Sequence, residues 1–305
     1  MPRITRRTCL AMTASAALLP KAAFTAERFD LGGGAELVTL SDGHLTLPPD
    51  FIFGPAPQEE LAELAPELGI DPAAELTPPC NVTLMRTGDR TVLFDCGSGH
   101  AFMPSAGRLM EALSAEGLTP DDVTDIVFTH GHPDHLWGVL DDFDLPMFMN
   151  ATHWMGRVER DYWMDPETID TIGEARASFA AGAARRIPEI EGMMETFEDG
   201  DEILPGIAAH MTPGHTPGHM SFEVSTGGDT VMIIGDAIAN DHVAVARPGW
   251  PSGSDHDTEM GAKTRVRLIE RLAQEQMVAV GFHMGGGGLG RIEPAGEGYR
   301  FVTEI

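Results

Sequence analysis

The stretch Thr129-His130-Gly131-His132-Pro133-Asp134-His135 places three imidazoles and a carboxylate within six residues, directly after the apolar run Asp125-Ile126-Val127-Phe128. A short apolar run of this kind predicts a buried strand. The loop after such a strand lies at its carboxyl end, where neutral imidazole nitrogens and carboxylate oxygens can converge on divalent cations such as zinc. The pattern therefore predicts a metal site, with enough ligands to contribute to two.

One segment before this stretch and three after it also carry a histidine or an aspartate. Apolar runs end on Asp95, Asp236 and His283, and a Gly/Pro-rich turn carries His215. A single His or Asp after a strand is usually a capping or hydrogen-bonding residue. In this order along one chain, however, these residues predict a single constellation at one edge of the fold.

The ordered motifs resemble those of the metallo-β-lactamase superfamily, over roughly residues 30–300. The matching residues are, in chain order, Asp95, His130, His132, Asp134, His135, His215, Asp236 and His283. The resemblance implies an α/β fold, a four-layer αβ/βα sandwich of two sheets between helices, with a two-metal site at one edge of the paired sheets. Asp95 would lie behind the ligands.

The resemblance also implies which residues hold each cation. The implied ligands are His130, His132 and His215 for the first cation, Asp134, His135 and His283 for the second, and Asp236 as the bridge between them. Zinc is the leading candidate for both divalent cations, and manganese, iron and cobalt accept the same mixed nitrogen and oxygen set.

Two carboxylates opposite two divalent cations favour a bridging hydroxide at neutral pH, and that hydroxide is a nucleophile. We therefore expect a binuclear hydrolase that cleaves an ester, lactone or phosphotriester. Asp134 and Asp236 are its catalytic candidates. Asp134 could also orient the attacking hydroxide, but ligation uses the same lone pairs and is the preferred role.

Departures from the motifs of particular branches of the superfamily narrow the range of expected substrates. Acyl-homoserine lactonases usually place a catalytic Tyr three residues after the bridging Asp, where this chain has Ala239. The β-lactamases tend to have Cys or Ser at the position of Asp236. The segments 281–292, 41–44 and 247–250 look most like the branch that contains methyl parathion hydrolase. A lactonase and a mononuclear iron oxidoreductase resembling the persulfide dioxygenases are the alternatives.

The formal net charge is −27, from 20 basic and 47 acidic side chains. Nucleic acids and anionic membranes need a basic surface, so neither is expected as a partner. The expected partner is a small-molecule substrate, and a homodimer is expected by analogy with the branch.

The first residues predict an export signal. Arg6 and Arg7 precede an apolar stretch and then small residues, a pattern that resembles a twin-arginine signal. We assign residues 1–26 to this signal and 27–305 to a single domain in the periplasm or outside the cell, with no stable membrane insertion after cleavage. Residues 151–195 are predicted to be a helical excursion over the mouth of the site.

Several further residues receive specific expectations. Cys80 and Cys96 flank a predicted hairpin in which Arg86 faces Thr91, and two buried free thiols are favoured over a disulfide. His219 is expected to fix its turn rather than bind metal. The remaining histidines are taken as structural or exposed: His44, His100, His153, His210, His242 and His256. The candidate aromatic residues of a pocket wall are Phe51, Phe53, Trp137, Trp154 and Trp163.

Overall fold

The computed structural model describes residues 26–305, so the predicted export signal lies outside the described residues except for its last position. Two seven-stranded sheets dominate the fold. The first sheet runs in chain order through β1 (Arg28–Gly32), β2 (Ala35–His44), β3 (Pro79–Thr87), β4 (Arg90–Phe94), β5 (Asp125–Val127), β6 (Thr152–Gly156) and β7 (Met194–Phe197). Its β4 to β7 pair in parallel, and the others are antiparallel.

The second sheet is built from the C-terminal part of the chain, again with neighbours in chain order. Its strands are β8 (Glu202–Leu204), β9 (Ile207–Met211), β10 (Met220–Ser225), β11 (Thr230–Gly235), β12 (Val278–Gly281), β13 (Leu289–Ala295) and β14 (Gly298–Val302). The pair β11 and β12 is parallel, and the other pairs are antiparallel.

Nine helices in the described range join or cover these strands. They are α1 (Pro49–Phe53), α2 (Gln58–Leu68), α3 (Leu109–Ala115), α4 (Pro133–Leu136), α5 (Arg157–Met164), α6 (Thr168–Thr171), α7 (Ala177–Ile190), α8 (Val243–Ala246) and α9 (Thr258–Glu275). Single 3-10 turns lie at Pro120–Asp122, Trp137–Val139, Glu174–Arg176, Glu191–Met193 and Gly286–Gly288. Among residues 26–305, no helix combines the length and apolar character needed to cross a membrane.

The strands alternate between two apolar layers, because successive side chains of a strand point to opposite faces. In β11, Val231 and Ile233 join the core between the two sheets, whereas Met232 and Ile234 face the helical layer of α8 and α9. Phe94 and Phe222 meet across the two sheets, with ring centroids 5.6 Å apart. Helices α3, α4 and α7 cover the outer face of the first sheet. The predicted four-layer αβ/βα sandwich is confirmed.

The hairpin of β3 and β4 has the register expected from its turn, with Arg86 opposite Thr91. Cys80 and Cys96 are both buried and free. The prediction of two buried thiols is therefore confirmed.

The predicted helical excursion at residues 151–195 differs from the structure at its two ends. The segment contains α5, α6 and α7, but it opens with β6 and reaches the start of β7. The sequence of β6, Thr-His-Trp-Met-Gly, carries no run of β-branched residues, so its strand character comes from parallel pairing with β5 and β7.

Candidate metal centre

The loops at the carboxyl ends of β4, β5, β11 and β12 meet at one edge of the two sheets, together with the turn between β9 and β10. All seven predicted ligands lie there and all are buried: His130, His132, Asp134, His135, His215, Asp236 and His283. Five of them form two groups that share His130, and Asp134 and His283 belong to a third group with Cys80; within each group all ligand atoms lie within 4.8 Å of one another. One group is His130, His132 and His215, and another is His130, His135 and Asp236.

The carboxylate of Asp236 lies between the two predicted ligand sets. Its Oδ2 is 3.4 Å from His215 Nε2 and 3.2 Å from His283 Nε2, and its Oδ1 is 3.4 Å from His135 Nε2. Asp134 contacts only the second set, because its Oδ2 lies 3.2 Å from His283 Nε2 and 3.5 Å from His135 Nε2. Asp236 therefore has the position that a bridging ligand needs.

Five atoms of these residues are buried without any hydrogen-bond partner within residues 26–305. Four of them face the cluster, namely His130 Nε2, Asp134 Oδ2, His135 Nε2 and Asp236 Oδ1, and the fifth, His215 Nδ1, faces Asp255. A buried polar atom without a partner costs about 1–3 kcal/mol. Orphaned imidazole and carboxylate atoms that face one another are the donors that zinc and similar cations prefer. The residues present therefore fit a divalent metal.

Asp95 orients the His135 ring from behind. Its backbone adopts the left-handed conformation, with φ at 66°, which turns the side chain back beneath the loop after β5. Oδ1 accepts the Thr129 backbone N–H at 2.8 Å, and Oδ2 lies 2.8 Å from both the Thr129 hydroxyl and His135 Nδ1. The contact between Asp95 Oδ2 and His135 Nδ1 fixes the His135 ring so that its Nε2 points at the ligand cluster.

His219 lies in the turn that carries His215, and it is bound to the protein through both nitrogens. Nδ1 is 2.8 Å from the Thr212 hydroxyl, and Nε2 accepts the Asp236 backbone N–H at 3.0 Å. Burial and the nearby His215 hold the pKa of His219 well below its usual range, so the ring is neutral. The contact with Thr212 fixes its own turn, as the sequence analysis expected, and the contact with the Asp236 N–H, which it did not predict, also fixes the end of β11.

The sequence analysis missed His256, which contacts a ligand directly. His256 Nε2 lies 2.9 Å from His132 Nε2, and its Nδ1 lies 3.2 Å from the Tyr162 hydroxyl. Burial lowers the pKa of His256 to about 3, so this ring is neutral as well. When His132 Nε2–H donates to His256, the lone pair of His132 Nδ1 points toward the cluster, where Nδ1 lies 2.9 Å from His215 Nε2.

Two buried carboxylates near the cluster were also missed. Asp255 Oδ1 is 3.5 Å from His215 Nδ1, and its Oδ2 is paired with Arg265 at 3.2 Å. The sequence Asp255-His256-Asp257 before a helix was the available signal for this segment. Glu159, one of two acidic residues in the amphipathic helix α5, stands in no motif that would have indicated its role.

Glu159 links the two ligand-bearing loops. Its Oε1 accepts the Gly131 backbone N–H at 2.8 Å and the Trp163 indole N–H at 2.6 Å. Its Oε2 accepts the Thr216 hydroxyl at 2.7 Å and the Gly218 backbone N–H at 3.0 Å. A side chain at Gly131 would collide with the indole, since its Cβ would lie 2.4 Å from Trp163 Nε1.

The two ligand sets differ in charge. Burial, reinforced by neighbouring imidazoles, holds the pKa of His130 and His132 well below their usual range. Burial also disfavours the charged form of His135, but Asp134 and Asp236 outweigh it and raise its pKa to about 10. In the same way the facing imidazoles outweigh burial and hold the pKa of Asp236 well below its usual range. Cation binding to the second set must therefore release protons.

A cavity of about 480 Å³ opens onto the centre, with Asp134, Asp236 and His283 at its base. Its wall is mainly apolar and includes Leu45, Leu47, Ile52, Phe102 and Phe179. The carboxylates of Asp71, Glu75 and Asp241 also line it, and no Lys or Arg lines it in the described part of the chain.

Only one of the five predicted aromatic wall residues lines this cavity. Phe51 does, whereas Phe53 is buried against Ala56, Leu61 and Val243. The other three make separate contacts: Trp137 stacks on Arg186, Trp154 donates to Asp125, and Trp163 packs on His132. Residue type alone could not separate core aromatics from wall aromatics, because both are apolar surfaces next to the site.

Comparison with known proteins places this centre in a family. Residues 77–281 match the Metallo-beta-lactamase superfamily. An uncharacterized protein of Mycobacterium bovis is 33% identical over 195 residues, which cover 61% of this chain and 78% of that protein.

Two solved structures have the same fold along most of their length. The hydrolase AbOPH of the beta lactamase superfamily superposes with a TM-score of 0.84 at 25% identity, covering 92% of this chain and 97% of the other. AidC, a dizinc quorum-quenching lactonase in complex with a product, superposes with a TM-score of 0.85 at 23% identity, with the same coverage. Since the family match spans more than half of its residues, this chain belongs to the metallo-β-lactamase superfamily.

Proposed function

We propose that this protein is a metal-dependent hydrolase with two divalent cations that cleaves an uncharged ester, lactone or phosphotriester. One observation carries the proposal: seven buried imidazoles and carboxylates converge beside an apolar cavity that five of them line, and five of their atoms have no hydrogen-bond partner within residues 26–305. A purely structural site would have no need of a cavity that opens onto its ligands.

Each cation would be held by its own set of residues. His130, His132 and His215 would hold the first, and Asp236 would lie between the two. Asp134, His135 and His283 would hold the second. When bound, such a cation pair supplies an activated water and polarises the bond to be cleaved.

The chain's own residues position the reaction. Asp236 Oδ1 and Asp134 Oδ2 are the carboxylate oxygens of the cluster without a hydrogen-bond partner within residues 26–305, so they would be available to bind the cations, which is their preferred role. Asp95 and His219 hold His135 and Asp236 in place from behind. The apolar wall excludes bulk water from a bound substrate, which strengthens every polar interaction at the base.

The cavity supports a substrate that is apolar and carries no negative charge. Its volume of about 480 Å³ lies within the range of small-molecule sites. Asp71 and Glu75 are exposed at its edge and would repel an anionic substrate. Aryl esters, lactones and phosphotriesters meet both conditions.

A lactonase is the second candidate, because the dizinc lactonase AidC shares the fold along most of this chain. Ala239 lies in the cavity wall at the place where acyl-homoserine lactonases usually have a catalytic Tyr, and no Tyr lines the cavity within the described range. We therefore favour the broad hydrolases that resemble methyl parathion hydrolase.

Metal content and turnover measured on the same sample test the proposal. Protein purified without chelator is analysed by elemental mass spectrometry and assayed with aryl esters, lactones and phosphotriesters. We expect two metals per chain and hydrolysis that a chelator abolishes and added metal restores. One iron per chain without hydrolysis would favour the persulfide-oxidising alternative, and metal-independent hydrolysis would contradict the proposal.

A further inference from the structure

Cys80 lies beside the second ligand set, although no expected ligand set includes it. It is the second residue of β3 and is fully buried. Its sulfur forms a group with Asp134 and His283 in which all ligand atoms lie within 4.8 Å of one another. The start of this strand and the residue before it, Pro79 and Pro78, also line the cavity.

Two contacts indicate that this group faces a ligand. Asp134 Oδ2 is buried without a hydrogen-bond partner within residues 26–305, and it lies 3.2 Å from His283 Nε2. The other nitrogen of His283, Nδ1, donates to the Pro79 carbonyl at 2.7 Å. The start of β3 therefore orients the His283 ring and also supplies the sulfur beside it.

Cys96 is the internal comparison. Its thiol lies 3.4 Å from the carbonyl oxygens of both His135 and Leu136, and it does not belong to any of the ligand groups found among the described residues. The two cysteines are equally buried, so burial does not distinguish them. Their neighbours distinguish them, because Cys80 lies beside Asp134 and His283 whereas Cys96 lies beside two backbone carbonyls.

We propose that Cys80 is a thiolate ligand of the second cation, together with Asp134 and His283. This inference rests on the proposed function, because it needs a cation at that position. On binding, the Cys80 S–H bond breaks, a sulfur–metal bond forms and the proton leaves to solvent. A soft thiolate gives this position a preference for zinc, cobalt or cadmium over manganese, which the first position, with imidazole and carboxylate donors only, does not share.

Cobalt(II) titration of metal-free protein tests the assignment, because a thiolate bound to Co(II) gives a near-ultraviolet charge-transfer band that imidazole and carboxylate ligands lack. We expect the band in the wild type and in Cys96→Ser, and its loss in Cys80→Ser while the visible cobalt bands remain. A wild type that binds two Co(II) without the band, or a band that persists in Cys80→Ser, would overturn the proposal.

X-ray absorption at the zinc edge of the wild-type protein gives a result that does not depend on a variant folding. We expect sulfur at about 2.3 Å from zinc, the usual zinc–thiolate distance. Two zinc ions with turnover and only nitrogen and oxygen neighbours would refute the Cys80 assignment and leave the hydrolase intact. Failure to bind two cations would instead refute the proposed function, and the Cys80 assignment with it.

Discussion

The two halves of the molecule contribute to the centre in different ways. The N-terminal sheet delivers four candidate ligands from one segment, residues 130–135, which comprises the loop after β5 and the start of α4. The C-terminal sheet delivers three ligands from three separate places: the turn before β10, the end of β11 and the end of β12. Asp95 and Glu159 fix the first loop through direct hydrogen bonds to its backbone.

The difference shows which parts of the structure set the geometry of the centre. In the N-terminal half, the spacing of the ligands is largely set by local chain geometry. In the C-terminal half, the distance between Asp236 and His283 depends on the parallel pairing of β11 with β12, which places Gly235 opposite Gly281. We therefore expect the C-terminal ligands to be more sensitive to changes in their supports.

Replacing Asp236 with Ala should have the largest effect, because this carboxylate contacts His135, His215 and His283. We expect Asp236→Ala to lower metal occupancy and to reduce hydrolysis by more than about 100-fold. Loss of a residue that only supports a ligand costs up to about 100-fold, and loss of a bridging ligand should cost more. Elemental analysis and turnover on one sample measure both. Full metal content with undiminished turnover would remove Asp236 from the centre.

Glu159→Gln tests the connection between the halves, because Glu159 accepts hydrogen bonds from both ligand-bearing loops. An amide has only one acceptor oxygen, so two of four buried donors lose their partner. We expect a loss of roughly 2–3 kcal/mol in the free energy of unfolding, with weaker binding of both cations. Urea unfolding of metal-free protein measures the first effect. Glu198→Gln is the matched control, since Glu198 pairs with Arg157 at an exposed position. An equal loss in both variants would contradict the linking role.

His153 tests the acid sensitivity of the N-terminal half. Its ring is fully buried in β6 and stacks with Phe128, which precedes the ligand loop. Burial lowers the pKa of His153 to about 4, from an ordinary value of 6.5. Below about pH 6.5, His153 binds a proton in the unfolded chain but not in the folded chain. The free energy of unfolding therefore falls as the pH drops toward 4, by about 2 kcal/mol between pH 7 and pH 5.

Unfolding in urea across this pH range, with chelator present throughout, measures that slope. His153→Phe cannot titrate, so its stability should fall less steeply than that of the wild type. Parallel curves for the two proteins would show that His153 does not cause the acid sensitivity.

The smallest expected effect comes from His219, which supports the C-terminal half at one backbone group. His219→Leu leaves the Asp236 N–H without its acceptor, so we expect about a tenfold loss of metal affinity, the lower end for a residue behind a ligand. Competition with a chelating dye measures it. His219→Gln, which can offer an acceptor oxygen, should recover part of the loss. An unchanged affinity in His219→Leu would show that β11 holds Asp236 without help.

The sequence by itself determined the strands that feed the centre and the identity and order of its seven candidate ligands. The strands follow from local rules, because an apolar run forms a strand and the residue after it lies at the strand's end. The ligand set was implied by the resemblance of the ordered motifs to those of the metallo-β-lactamase superfamily. The β3–β4 register was likewise readable, since it depends on a turn close in the chain.

Only the tertiary structure decided which residues support those ligands. Glu159 lies 28 residues from Gly131 and 57 from Thr216, and His256 lies 124 residues from His132. No local pattern encodes contacts at such separations, because they form only when α5 and the segment before α9 pack against the ligand loops. The same holds for Cys80, whose neighbours Asp134 and His283 come from both sheets. These residues therefore contact the centre only because of long-range packing.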